Sequence, residues 1–168
     1  MATTTTPTEY PTGRSAEPRS DGLFRVLSLD GGGSKGVYTL GVLKEVEALA
    51  NSLLCEVFDL VFGTSTGSII AALIALGYKV EEIEHIYFTL IPTIMQRRFS
   101  SGRTKALKVE ARKLFEAQTF SAFKMPIGIV CTNYGFERPM VFKYSVQQSH
   151  GRASTFKPGF GCTIADVR

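Results

Sequence analysis

Val57-Phe58-Asp59-Leu60-Val61-Phe62-Gly63-Thr64-Ser65-Thr66-Gly67-Ser68-Ile69-Ile70-Ala71-Ala72-Leu73-Ile74-Ala75-Leu76 decides the fold. Its first six residues read as a buried strand and its last eight as a helix. Between them Gly63-Thr64-Ser65-Thr66-Gly67 fits G-x-S-x-G, the pattern of a nucleophile elbow. So sharp a turn forces the serine into a strained backbone conformation. Bulk two residues to either side would collide, so glycine is needed at both places. The bare pattern arises easily by chance, and the strand-turn-helix frame is what makes it specific. Ser65 is the expected nucleophile.

A second motif lies on the N-terminal side. Asp30-Gly31-Gly32-Gly33-Ser34-Lys35-Gly36 follows the apolar strand Arg25–Leu29 and opens a helix in which Val37, Leu40, Gly41, Leu43 and Val46 share a face. Glycines at a helix start leave backbone N–H groups uncovered at the positive end of the dipole, where a phosphate or a developing oxyanion could sit. Gly31, Gly33 and Gly36 also fit G-x-G-x-x-G, so a nucleotide-binding module is a rival reading. A dinucleotide fold wants an acidic residue ending the second strand, and here that strand runs through Phe62-Gly63 into the serine elbow. A P-loop wants its lysine after the last glycine, and Lys35 precedes it. Gly31, Gly32 and Gly33 are therefore read as an oxyanion hole, Asp30 as a tether for the loop and Lys35 as a surface charge.

In this order the two motifs resemble those of the patatin-like phospholipases. The likeness continues through Leu40-Gly41-Val42-Leu43-Lys44-Glu45, through Cys131-Thr132-Asn133-Tyr134 with Pro139-Met140-Val141-Phe142, and through Gly161-Cys162-Thr163-Ile164-Ala165-Asp166-Val167-Arg168, covering roughly Phe24 to Arg168. The resemblance implies an α/β fold, a three-layer α/β/α sandwich with a mainly parallel central sheet. It also implies an acyl-ester hydrolase acting on phospholipids or related lipids through a Ser-Asp dyad, without cofactor or metal. The family's base is an Asp in an Asp-Gly-Gly or Asp-Gly-Ala motif on a later strand. After Ser65 the only Asp is Asp166, followed by Val167, while Asp-Gly occurs only at Asp21 and Asp30. The base is thus expected to be missing, Asp166 to be structural, and the sheet to be incomplete at its C-terminal end, as in a truncated product or a fragment. A catalytically inactive lipid-binding fragment is the second functional reading.

The remaining features set bounds. His85 stands among Glu81, Glu82 and Glu84, and His150 in the polar run Gln147–Gly151, so neither has the setting of a triad base. Cys55, Cys131 and Cys162 are odd in number and widely spaced, which argues against a disulfide framework or zinc site and fits a reducing cytoplasm. Residues 1–22, rich in Thr, Pro and Ser without an apolar run, read as a disordered leader, and the resemblance implies that 23–168 is the N-terminal part of a patatin-like phospholipase domain. The longest apolar stretch, Ile69 to Leu76, is too short to span a bilayer. The spacing predicts strands over 25–29, 57–62, 126–132 and 140–146. It predicts helices over 35–50, 66–76, 80–91 and 104–116, with the last two strands paired as a hairpin. Arg97, Arg98, Arg103, Lys105, Lys108, Arg112 and Lys113 face Glu110 alone, a window of net +6 where the whole chain carries +4. The plainer reading is a solvated helix face; the sharper one is peripheral contact with an anionic membrane. No nucleic-acid motif accompanies the charge.

Overall fold

In a computed structural model, which describes residues 21–95, 100–133, 138–143 and 163–166, four strands form one sheet. In spatial order they are β1 (Val26–Leu29), β2 (Leu60–Thr64), β3 (Ile127–Asn133) and β4 (Arg138–Lys143). The first three are parallel, with Leu29 beside Gly63 and Gly63 beside Ile129, and β4 returns antiparallel with Lys143 opposite Gly128. Parallel neighbours need crossovers, and helices supply them. These are α1 (Gly36–Ala50) and the single turn α2 (Leu54–Val57) before β2, then α3 (Thr66–Leu76), α4 (Val80–Met95) and α5 (Ser100–Phe115) before β3. The result is a mixed α/β fold with a mainly parallel sheet.

α3 lies at the centre. It packs on β1, β2 and β3, and every residue from Ile70 to Ala75 is buried. Ala71, Ala72 and Ala75 let its backbone approach its neighbours, while Ile70, Leu73 and Ile74 fill the core at roughly 1.5–3 kcal/mol each. Gly77 ends it at φ 86°, where only glycine is unstrained, with the Tyr78 N–H reaching back to the Leu73 carbonyl at 3.1 Å. α1 and α4 run against each other, tied by Lys44 to Glu84 at 3.1 Å and by the Val80 N–H to Glu47 at 2.9 Å.

Several boundaries differ from the sequence reading. Val57 and Phe58 are not in β2. The chain first winds the turn α2, which buries Leu54, and pairing starts only after the Asp59 N–H has bonded to the Arg25 carbonyl at 2.8 Å. α4 does not stop before Pro92 but runs through it to Met95, so the bond that a Pro92 N–H would make is lost. α5 starts at Ser100 rather than 104. On α1, Leu40 and Leu43 are buried while Gly41 is exposed with open space around it, so Gly41 leaves the predicted apolar face. On α5, Phe115 is buried but Leu107 keeps about a third of its surface exposed, at 37%. The predicted tail of the last strand, 144–146, the hairpin loop 134–137 and residues 1–20 of the expected leader lie outside the described residues.

Candidate active site

Ser65 follows the last residue of β2 and precedes the first of α3, at φ 54° and ψ −126°. A non-glycine residue in this region is strained by about 1–3 kcal/mol and persists only where its surroundings over-determine it. Here they do. The Ser68 N–H bonds to the Ser65 carbonyl at 3.0 Å, and the Ser68 hydroxyl donates to the same oxygen. A Cβ at Gly63 would stand 2.5 Å from Ser68 Cα, and one at Gly67 would strike the Leu29 carbonyl and lie 2.6 Å from that of Asp30. The end of β1 therefore passes directly over the start of α3. Ser65 itself is exposed.

The same crossing brings the glycine loop to the nucleophile. A Cβ at Gly31 would lie 2.6 Å from Ser65 Cβ and 3.3 Å from its Oγ, so Gly31 is in contact with the serine side chain. Gly32 and Gly33 have φ of 152° and 58°, conformations open to glycine. The Gly33 N–H donates to Thr66 Oγ1 at 3.2 Å, and the Tyr87 hydroxyl donates to the Gly33 carbonyl. The N–H groups of Gly31 and Gly32 have no acceptor among the described residues. Beyond the loop, a short 3-10 turn over Gly33–Lys35 leads into α1. Gly36 is buried, and the Tyr87 hydroxyl stands where its side chain would begin.

Backbone donors with no acceptor among the described residues, in a loop that lies against a strained and exposed serine, make an arrangement suited to acyl transfer. Among the described residues nothing hydrogen-bonds Ser65 Oγ, and His85 is exposed on α4, engaged only through its carbonyl with Thr89. Asp166 ends a 3-10 turn anchored by the Ile164 N–H to the Gln118 carbonyl at 2.9 Å and by the bridge between Thr119 and Thr163, beyond the end of α5. His150 and Cys162 lie outside the described residues. No group of His, Cys, Asp and Glu that could hold a metal gathers among the described residues. Burial pushes the Cys131 thiol up to about 11, and chiefly burial also raises that of Cys55, so neither is an activated nucleophile.

Ser65, Gly31, Gly33 and the framing glycines Gly36, Gly63 and Gly67 thus converge at one place. The basic window belongs to a different element. Arg97 and Arg98 lie outside the described residues, Arg103 is on α5, Lys105, Arg112 and Lys113 are exposed, Lys108 is half-buried, and Lys113 pairs with Glu110 at 2.8 Å. Two residues in contact with the loop were not singled out by sequence. Tyr87 reads as one apolar position on the buried face of α4, and its signal was a hydroxyl on an otherwise apolar stripe, which needs a partner when buried. Thr66 reads only as a variable position in G-x-S-x-G.

A family model described as patatin-like phospholipase matches residues 27–160. The cUMP-AMP-activated phospholipase of Escherichia coli is 54% identical over 157 residues, which cover 94% of this chain and 49% of that protein. The cGAMP-activated phospholipase of Vibrio cholerae is 28% identical over 144 residues, or 71% of this chain and 41% of its own length. The human calcium-independent phospholipase A2-gamma is 33% identical over 83 residues, 49% of this chain and 11% of that protein. The chain therefore spans about half or less of the length of these relatives.

Proposed function

This chain belongs to the patatin-like phospholipase family, and from that premise we propose that the protein is a lipid acyl hydrolase with Ser65 as its nucleophile. One observation carries the proposal above the rest. Ser65 holds a positive φ at the tip of β2 with its Oγ against Gly31, where a reacting carbonyl carbon could meet the hydroxyl and its oxygen meet backbone donors. Ser65 Oγ adds to the ester carbonyl as the base takes its proton, the oxyanion takes hydrogen bonds from the glycine loop, and collapse breaks the ester C–O bond, the leaving lyso-lipid oxygen receiving that proton and an acyl-serine remaining for water to cleave. In the dyad reading the base is an aspartate of an Asp-Gly-Gly or Asp-Gly-Ala motif. No such motif follows Ser65 in these 168 residues, so turnover is a proposal for the whole protein.

Replacing Ser65 tests this directly. Ser65→Ala in the full-length protein should abolish release of fatty acid from phospholipid, and a fluorophosphonate probe should label Ser65 and no other serine. Undiminished turnover by the alanine variant would overturn the assignment. The names of the bacterial relatives favour a second layer, activation of this hydrolase by a cyclic dinucleotide. Turnover measured with and without cUMP-AMP decides it.

Contact with an anionic membrane through α5 is the proposed route to substrate. Lys105, Val109, Arg112 and Lys113 fall at i, i+4, i+7 and i+8, one outward-facing stripe of the helix, and all four are exposed. Such cations are worth about 1 kcal/mol each near anionic headgroups, less where a carboxylate already pairs with them. No helix among the described residues is long and apolar enough to cross a membrane. Cosedimentation with phosphatidylglycerol vesicles but not phosphatidylcholine vesicles, reduced in Lys105→Glu/Arg112→Glu, is the expected result.

A further inference from the structure

Three consecutive glycines give the loop more conformational freedom than any other sequence would, yet an oxyanion donor is useful only when its position is fixed. Within the turn the Lys35 N–H bonds to the Gly32 carbonyl at 3.2 Å, and the bonds that tie the loop to α3 and α4 meet at one residue, through the two peptides that flank it. The Gly33 carbonyl accepts from the Tyr87 hydroxyl while the Gly33 N–H donates to Thr66 Oγ1 at 3.2 Å. Tyr87 is 1% exposed and stands on α4, among the apolar contacts that set that helix. Thr66 is the first residue of α3, immediately after the nucleophile. One bond therefore ties the loop to the core and the other ties it to the elbow.

Resting on the hydrolase reading above, we propose that Tyr87 is a positioning residue for the oxyanion loop. With Thr66 it holds the two peptides flanking the Gly33 Cα as the loop's fixed point, so that Gly31 and Gly32 present their N–H groups to the substrate oxygen. Three observations converge on this. The Gly33 N–H is already committed, whereas those of Gly31 and Gly32 have no acceptor among the described residues. Gly31 is the loop residue lying against Ser65. The third glycine of the motif, Gly36, has no room for a side chain because the Tyr87 hydroxyl occupies that space. On this account Gly36 is glycine to admit the tyrosine, not to admit a phosphate.

Tyr87→Phe removes the hydroxyl and leaves the ring in the core. In the full-length protein it should lower kcat and the rate of fluorophosphonate labelling together, by about 10- to 100-fold, with KM within about 2-fold. Thr66→Ala should do likewise, and Thr66→Ser, which keeps an acceptor in reach, should recover most of that loss. The double variant Tyr87→Phe/Thr66→Ala should lose little more than the worse single one, since both act through the one residue Gly33. Amide hydrogen exchange over residues 30–36 reads the loop without any turnover and should quicken in Tyr87→Phe. Unchanged labelling, or unchanged exchange over 30–36, would overturn the proposal. If the wild-type protein neither labels nor turns over lipid, the hydrolase reading fails, and exchange still decides whether Tyr87 holds the loop.

Discussion

At the residue scale, the most demanding positions are those where one backbone crosses another. Gly67 sits beneath the Leu29 and Asp30 carbonyls, backbone at and just past the end of β1, which cannot give way as a flexible side chain would. Gly67→Ala is expected to cost about 3 kcal/mol or more and to be read as a lower urea midpoint, with loss of serine labelling in whatever fraction folds. A midpoint within error of wild type would mean the crossing is looser than its geometry. Cys131 makes a different kind of prediction. Burial raises its thiol from 9.0 to about 11, so the folded chain keeps a proton that the unfolded chain releases. The associated stability is fully present below pH 9 and is lost as pH rises through about 11. Cys131→Ala should flatten that part of the stability profile relative to wild type, and iodoacetamide should modify native Cys131 only slowly at pH 8. Ser65 and the three glycines were legible in sequence because each answers a local geometric demand. Tyr87 and Thr66 were not, because their partner on the glycine loop lies 54 and 33 positions away in the chain.

At the element scale, helix ends decide more than helix interiors. α4 begins without a capping side chain from the residue preceding it. The Lys79 N–H is taken by Glu82 at 2.8 Å, in the manner of a capping box, and the Val80 N–H by Glu47 from α1 at 2.9 Å. The other Glu47 oxygen is buried without a partner among the described residues, which offsets part of the gain. Glu47→Ala should therefore cost about 1 kcal/mol, measured by urea unfolding at constant m value. A loss near zero would show the desolvation cost and the cap to be equal. The element types were all legible from periodicity, except for α2. Their limits were not: β2 starts late because Asp59 is engaged by Arg25, and α4 continues past Pro92 although its sequence signals a stop. For β2 a tertiary contact outweighed the local preference.

At the scale of the whole molecule, the sheet ends on one side at β1 and on the other at β4 among the described residues. Beside β1 lie Leu23, Phe24 and Val26, each roughly half exposed or more. An open edge flanked by apolar side chains is a template for pairing. The 168-residue chain expressed alone should associate at micromolar concentration, and Leu23→Ser/Phe24→Ser should shift it toward monomer in analytical ultracentrifugation. A monomeric wild-type chain under those conditions would show that the edge is adequately protected.

The strained backbone at Ser65 also makes the protein a gauge of its own integrity. No isolated peptide spontaneously holds a serine at that dihedral angle with glycine donors beside it. On the proposed function, covalent capture by a phosphonate would therefore count molecules whose sheet, central helix and loop are all assembled. Followed along a denaturant series, such capture would report loosening of the elbow separately from loss of helical signal. The interval between the two curves would measure how far the working part of the fold is the first to let go.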